Sequence, residues 1–183
     1  AMDTEAVQKL FDKEENQRIM EKTALESLVL LKNDGTLPID KKVKRIAVIG
    51  YHAGTGRINF GGYTHFSMAE GDLAARTSMA GLAGKDGKKA EMETIPGTQI
   101  QQDAPKFEEV LKRQKPQVKS LYEQLCQALP DTEVTYSFGY YFAGTDESHF
   151  EEALKAAEKA DVVIVTLGGK HGTSSIASMG EGI

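Results

Sequence analysis

The chain has 183 residues, of which 40% are hydrophobic and 27% charged, and its formal net charge is −5. This length suffices for a globular domain with its own core, and the negative charge gives no electrostatic reason to bind nucleic acid or an anionic membrane. No apolar run is long enough to span a bilayer. The single cysteine, Cys126, excludes an intrachain disulfide, and we expect it to be buried in an apolar helical segment, residues 121–129.

The first half of the chain carries one clear helical pattern and one clear strand pattern. Apolar residues recur at helical spacing between charges in residues 14–27, which predicts a helix. The apolar run 28–31 fits either the buried end of that helix or a short strand. Residues 44–50 have the continuous apolar core of a strand that is covered on both faces. The glycine-rich stretch 51–87 has few periodic apolar positions, so we expect a long loop there.

The second half alternates predicted helices with predicted strands. The elements are a helix interrupted at Pro116, a strand, a helix that begins at Asp146 or Ser148, and a last strand, over residues 105–129, 132–138, 146–159 and 161–167. This alternation indicates parallel pairing, so the predicted fold class is α/β, with a mostly parallel sheet between helices. The chain ends inside a polar loop, residues 168–183, and we therefore expect an incomplete, truncated sheet.

Two glycine-rich segments follow predicted strands. Gly50, Gly54 and Gly56 come directly after the first strand, but their spacing differs from that of a dinucleotide-binding turn. Gly180-Glu181-Gly182 places a carboxylate between two glycines on the last loop, where it can reach into a cleft, although an exposed glutamate in a loop has the same appearance. The four histidines lack the spacing of metal ligands, so we predict neither a metal nor a cofactor.

Several segments, taken together and in order, resemble glycoside hydrolase family 3, which includes β-glucosidases and β-xylosidases. The matching segments are residues 24–33, 37–39 and 46–50, Gly61-Gly62-Tyr63-Thr64, residues 144–165, and Gly180-Glu181-Gly182. Residues from about 68 to 116 have no counterpart, and we expect a family-variable insertion there. The resemblance implies that residues 1–183 are the N-terminal part of the family's C-terminal domain, which is a three-layer α/β sandwich.

The resemblance also implies a reaction. Members of the family are typically retaining glycosidases, which use two carboxyl groups about 5–5.5 Å apart. Glu181 matches the acid/base, whereas the aspartate nucleophile belongs to a barrel domain that these residues do not include, so we expect the fragment alone to be inactive. Tyr63 and Phe66 are expected to line the aglycone side, with packing of their loop as an equal alternative. The implied partners are a β-linked glucoside or related sugar and the parent's barrel domain, with no nucleic acid and no membrane.

Two other functions stay open at this point. One is a stand-alone module that binds a nucleotide or a small metabolite, and the other is a structural or sugar-binding domain without catalytic activity. Arg57, Lys170 and His171 are further candidates for contacts with a ligand, although nothing in the sequence singles them out. An incomplete parallel sheet leaves an open edge and uncovered apolar faces, so we also predict self-association.

Overall fold

Residues 3–11, 13–80, 93–171 and 175–178 are described by the computed structural model. The chain divides into two units between Lys41 and Lys42. Unit 1, residues 1–41, contains α1 (Thr4–Phe11) and α2 (Glu14–Glu26). Ion pairs at i,i+4 spacing support α2, among them Glu14–Arg18 at 2.6 Å. The helix predicted over residues 14–27 is confirmed.

The apolar run after α2 forms neither of the two elements that the sequence allows. Residues 28–31 have no helical or strand pairing, and all four side chains are exposed, with Leu31 at 93%. The turn that follows is closed by Asn33, whose side-chain oxygen accepts the N–H groups of Gly35 and Leu37 at 3.1 and 3.0 Å. The Leu37–Pro38 peptide bond is cis.

Unit 2, residues 42–183, is built on a parallel sheet whose described strands are β1 (Arg45–Ile49), β2 (Glu133–Ser137) and β3 (Val162–Val165). Their order is β2-β1-β3, and Ala47 of the central strand pairs with Thr135 on one side and Val163 on the other. Residues 46–49 are buried, which explains why these four positions of the central strand are all apolar. The predicted strands and their parallel pairing are confirmed.

Helices cover both faces of the central strand. On one face, Ile46 and Val48 pack with Leu125 of α6 (Leu121–Ala128) and with Ala53 of α3 (Tyr51–Gly54). On the other face, α7 (Phe150–Lys159) packs against β1 and β2 and buries Ala153. Successive side chains of one strand therefore enter opposite layers. The α/β class and the three-layer arrangement are confirmed.

Residues 51–80 are not the long loop that their glycines predict. They form α3, a 3₁₀ turn (Arg57–Asn59) and α4 (His65–Ala80). The hydroxyl of Thr64 accepts the N–H of Ser67 at 3.3 Å and so caps the start of α4. Phe66 and Leu73 pack against α5 (Pro105–Gln114). Tertiary packing of a few apolar positions stabilises this helix, and that packing is not visible in the local composition.

The predicted boundaries of the other helices hold with small shifts. The break at Pro116 is confirmed, because α5 ends at Gln114 and α6 begins after Ser120. Ser120 and Glu123 form a reciprocal capping box at that start. Helix α7 begins at Phe150 with His149 at its N-cap, so the prediction that Asp146 or Ser148 caps it is wrong. The carboxylate of Asp146 instead accepts the N–H of Ser148 at 3.0 Å and closes the preceding turn.

Cys126 is exposed, so the prediction that it is buried is wrong. Leu125 and Leu129 occupy the face of α6 that packs on the sheet, and Tyr122 lies with its ring centroid 5.6 Å from that of Tyr136. One residue along a helix turns the side chain by about 100°, which directs Cys126 away from the layer that Leu125 enters.

Candidate functional site

The loops that follow β1 and β3 meet at the carboxyl end of the sheet. Gly62 donates its backbone N–H to Nδ1 of His171 at 2.9 Å, and Nε2 of His52 lies 2.9 Å from the carbonyl oxygen of Gly169. Because β1 is central, the chain leaves it toward β2 on one side and reaches β3 on the other. Such a switch point is where open α/β sheets bind their ligands. The loops of the sequence-based candidates therefore come together at this edge.

A cluster of buried charges from four segments lies beside these loops. Arg57 donates from Nη1 and Nη2 to the two carboxylate oxygens of Asp103 at 2.8 and 3.0 Å, and from Nε to Glu70. The ammonium of Lys170 lies 3.2 Å from the second oxygen of Glu70. The side chains of Arg57, Glu70 and Lys170 are only 3–4% exposed. We call these four residues the buried ion cluster, and its two cations balance its two carboxylates.

Burial and close charges shift the pKa values of Lys170 and Asp103 in this cluster and of Tyr51 beside it. Burial lowers the pKa of Lys170, and the positive charge of Arg57 adds to that effect, although Glu70 and Asp103 oppose it. Burial alone raises the pKa of Asp103, but the guanidinium of Arg57 outweighs it and holds that pKa below the ordinary value. Burial, reinforced by the charge of Asp103, raises the pKa of Tyr51, whose hydroxyl donates to Asp103 at 2.7 Å.

This arrangement changes the interpretation of two candidates. Arg57 and Lys170 are engaged in internal ion pairs, so neither presents its charged group to a sugar hydroxyl at the surface. Sequence reasoning missed Glu70 and Asp103, which lie in the region without a counterpart in the resemblance. One signal was present, because Glu70 stands four residues after Phe66 and so falls on the buried face of α4.

The two aromatic residues predicted at the site differ in their exposure to solvent. Tyr63 is 86% exposed, whereas Phe66 is 1% exposed and packs with Val110 and Leu111. The burial of Phe66 favours the packing alternative for this residue, and the exposure of Tyr63 leaves its ring accessible. Glu181 lies outside the described residues.

The described segment nearest to Glu181 in the chain is held at both of its ends. Ser178 donates its N–H to the carbonyl oxygen of Lys170 at 3.0 Å, and the Lys170 N–H donates to the Ser178 hydroxyl at 2.9 Å. At the other end, Gln101 donates its N–H to the carbonyl oxygen of Ser175 at 2.6 Å. Ile176 between them is 1% exposed and belongs to the core. The residue three positions before Glu181 is therefore fixed against the rest of unit 2.

The glycines after β1 allow other parts of the protein to pack closely against the backbone. A Cβ atom on Gly50, where φ is +116°, would lie 2.5 Å from the carbonyl oxygen of Thr166. A Cβ on Gly54 would collide with the ring of Tyr136, and one on Gly56 would lie 2.7 Å from a neighbouring side chain. Helix α3 has only four residues. The space that a pyrophosphate would need beside these glycines is occupied by protein atoms, which argues against a nucleotide at this turn.

A cavity of about 300 Å³ opens beside Tyr51. Its wall is mostly aromatic, with one aliphatic side chain and the polar side chains of Gln102, Asp103 and His149; the remaining lining residues are Tyr51, Ile95, Phe138, Tyr141 and Phe142. The amide nitrogen of Gln102 donates to the hydroxyl of Tyr141 at 2.6 Å, so the Gln102 amide and the Tyr141 hydroxyl hold each other in place. An apolar wall with a few fixed polar groups is typical of small-molecule sites.

Neither a metal cluster nor a membrane-spanning helix is found in the part of the chain that the structure describes. Over residues 3–11, 13–80, 93–171 and 175–178, His, Cys, Asp and Glu side chains do not gather in threes around a point where a metal ion would sit. Within the same residues, the helices lack the combination of length and apolar character that crossing a bilayer requires.

Comparison with known proteins identifies the family. A family model described as the glycosyl hydrolase family 3 C-terminal domain matches residues 28–183. The match includes both loops at the carboxyl end of the sheet, and it includes Tyr63, Phe66 and Glu181. No curated protein matches the chain significantly.

Proposed function

The chain belongs to glycoside hydrolase family 3, whose C-terminal domain it contains over residues 28–183, and from this premise we propose that it supplies the acid/base carboxyl group of a retaining glycosidase. The proposed substrates are β-linked glucosides or related sugars. Glu181 would protonate the leaving oxygen and later deprotonate the incoming water, while the nucleophile comes from the barrel domain of the parent enzyme. The isolated chain would hold only one of the two carboxyl groups, so we expect it to be inactive.

The hydrogen bond between Gly62 and His171 is the observation that carries this proposal. It joins the loop of Tyr63 to the loop that leads to Glu181, at 2.9 Å, on the edge of the sheet where ligands bind. Tyr63 follows Gly62 directly and its ring is exposed, so it offers an aromatic face to the aglycone. In the proposed cleft, Phe66 packs inside the protein beneath the loop of Tyr63 and does not contact the sugar.

The proposed role sets a condition on the pKa of Glu181. A glutamate that donates a proton at neutral pH needs a raised pKa, which burial or a neighbouring carboxylate provides. In a retaining glycosidase the nucleophile lies about 5–5.5 Å away and supplies the neighbouring charge. Acid–base assistance of this kind contributes about 10²–10⁴-fold to the rate. The proposal therefore requires the chain and the barrel to act together.

Azide rescue in the complete parent enzyme tests the proposal. Glu181→Ala should lower turnover of glycosides with poor leaving groups by about 10²–10⁴-fold, and it should spare an aryl β-glucoside whose leaving group needs little protonation. Azide should then restore turnover and give a glycosyl azide of retained configuration. Glu151→Ala, at an exposed glutamate of α7, is the matched control. An unimpaired Glu181→Ala enzyme would overturn the assignment and point to a structural or sugar-binding domain.

The cavity beside Tyr51 favours a second candidate function, a module that binds a small metabolite. The charge of Asp103 is balanced by Arg57, so the cavity suits a neutral ligand with an apolar ring face better than a phosphate. Titration of the chain with methyl β-glucoside, phenol and ATP, followed by NMR, distinguishes these ligand classes. Saturable shifts that disappear in Tyr141→Ala would support this candidate, and unchanged spectra would contradict it.

A further inference from the structure

Two histidines connect the loop after β1 with the loop after β3, and they do so in opposite directions. His52, in α3, places Nε2 at 2.9 Å from the carbonyl oxygen of Gly169. His171, after β3, accepts the backbone N–H of Gly62 at Nδ1, also at 2.9 Å. The first ring is a hydrogen-bond donor at its contact and the second is an acceptor, so the two contacts respond differently to a change in protonation.

The contact of His171 requires a neutral ring. A nitrogen that accepts an N–H has no proton of its own, so the proton of the neutral His171 ring lies on Nε2. Nδ1 is then the one ring nitrogen that can take up a further proton, and it is also the atom that bonds to Gly62. Protonation therefore replaces an acceptor by a second donor, and the hydrogen bond to Gly62 is lost.

The contact of His52 does not depend on the charge of its ring. A carbonyl oxygen only accepts, so Nε2 of His52 carries a proton at this contact. The imidazolium form has the same proton on Nε2, and the bond to Gly169 is available to both forms. Of the two bridges, only that of His171 is broken by a proton.

Loss of the bond from His171 acts directly on the loop of Tyr63. Gly62 is buried, and a buried N–H without an acceptor is unfavourable, so the backbone has to move or admit water. Tyr63 is the next residue, and its ring is 86% exposed. A Cβ atom on Gly61 would meet no atom within 4 Å, so there is open space beside the loop.

Other titratable groups lie on the segments that meet at this edge. Lys170 precedes His171 and pairs with Glu70 within the buried ion cluster, and burial lowers the pKa of Lys170. His65 begins α4 and is exposed. The hydroxyl of a tyrosine such as Tyr63 is uncharged over the pH range in which histidines change charge. The ring signals of His171 itself distinguish its titration from that of these groups.

We propose that His171 is a positioning residue, which holds the loop of Tyr63 against the loop after β3 while its imidazole is neutral and releases it when the imidazole is protonated. The inference rests on the function proposed above, because it makes the aglycone side of the cleft sensitive to acid. Histidine side chains ordinarily change charge at about pH 6.5. The loop is therefore held at about pH 8 and released toward about pH 5.

Nitrogen-15 NMR of the chain tests the contact. At about pH 8 we expect a scalar coupling across the hydrogen bond between the Gly62 nitrogen and Nδ1 of His171, and its loss toward about pH 5 as the His171 ring titrates. Exchange of the Gly62 amide, corrected for the intrinsic effect of pH, should become about 2–10-fold faster, which is the factor that one hydrogen bond contributes to an equilibrium. A coupling that persists after His171 has titrated would overturn the inference.

Two variants make the test specific. His171→Asn offers a side-chain oxygen in place of Nδ1, which accepts the same N–H without titrating, and should keep slow exchange of Gly62 at both pH values. His65→Asn, at the exposed histidine that begins α4, is the matched control and should respond as the unmodified chain does. An equal response of Gly62 in both variants would overturn the assignment to His171.

Kinetics of the complete parent enzyme test the role of the contact. KM for aryl glucosides with large aglycones should rise about 2–10-fold from pH 8 to pH 5 in the unmodified enzyme, and less than about 2-fold in His171→Asn. An equal rise in both would overturn the positioning role. Failure of azide rescue in Glu181→Ala would overturn the function proposed above, whereas the response of Gly62 to the titration of His171 would be unchanged.

Discussion

Asp103 and Arg57 form a two-armed ion pair, in which Nη1 lies 2.8 Å from Oδ2 and Nη2 lies 3.0 Å from Oδ1. Asp103 stands just before α5 and Arg57 follows β1, so the pair ties an element of the sheet to a segment far along the chain. Planar, two-armed pairing of this kind fixes orientation as well as distance. The pair therefore holds the residues just before α5 against the segment that follows β1.

Removing the charge of Asp103 should destabilise unit 2. Asp103→Asn leaves Arg57, which is 3% exposed, with only Glu70 as a charged partner. Breaking a buried pair from one side costs about 3–5 kcal/mol, and the 29% exposure of Asp103 reduces this to about 2–3 kcal/mol. Urea unfolding at pH 7 measures the loss. The control is Asp72→Asn, which breaks an exposed pair with Arg76 and should cost about 0.5 kcal/mol or less.

Asp103 should also make the fold sensitive to acid. Its folded-state pKa lies below the ordinary value of 3.8, so the unfolded chain binds more protons as the pH falls through that range. The contribution of Asp103 to stability is then fully present above about pH 5 and is lost as the pH falls toward the folded-state pKa. Urea midpoints between pH 7 and pH 3 should fall less steeply in Asp103→Asn than in the unmodified chain. Parallel slopes would show that Asp103 is not responsible.

The sequence predicts the sheet better than the buried ion cluster, for a physical reason. Ile46 and Val48 lie in an apolar run that is typical of a covered strand, and such a run depends only on local composition. The partner of Glu70, in contrast, depends on how three separate segments pack, and either a solvated or a buried carboxylate is compatible with its local sequence. Helix α4 was missed for the same reason, since its long apolar contacts, such as Phe66 and Leu73, are few.

Alanine substitution should distinguish the glycines that packing requires from those that it does not. Gly50→Ala combines a φ of +116° with a Cβ 2.5 Å from the carbonyl oxygen of Thr166, so we expect a loss of at least about 2–3 kcal/mol. Gly35→Ala has a φ of +99° and open space, and should lose only about 1 kcal/mol. Gly61→Ala meets no atom within 4 Å and should change stability by less than about 0.5 kcal/mol. Thermal unfolding of the three variants gives the order, and any other order would contradict the packing role.

Alanine substitutions at the two aromatic candidates, Phe66 and Tyr63, should affect stability and substrate binding differently. Phe66→Ala removes a ring that is 1% exposed and should cost about 3–5 kcal/mol of stability. Tyr63→Ala removes a ring that is 86% exposed, so the unfolding free energy should change by less than about 0.5 kcal/mol. In the complete parent enzyme, Tyr63→Ala should instead raise KM for aryl glucosides with large aglycones. An unchanged KM would remove Tyr63 from the proposed cleft.

The isolated chain is expected to self-associate through the edge strand β3. In the part of the chain that the structure describes, β3 pairs with β1 on one side only. Val163 and Val165 on this strand are 41% and 53% exposed, and Leu167 just beyond it is 78% exposed. An unpaired strand edge with an apolar face is a template for association, and a charge on it prevents pairing. Sedimentation velocity should therefore show a concentration-dependent shift to larger species, and Val165→Lys should weaken it.

A second variant locates the contact. Val29→Lys changes a residue of unit 1 that is 77% exposed and lies in the apolar run after α2. If association depends on β3, Val29→Lys should sediment like the unmodified chain, while Val165→Lys shifts toward the monomer. The reverse result would place the contact on the apolar run of unit 1, because exposed leucines there offer a comparable apolar surface. A monomer at every concentration would contradict both, since neither apolar surface would then be sufficient to hold two copies together.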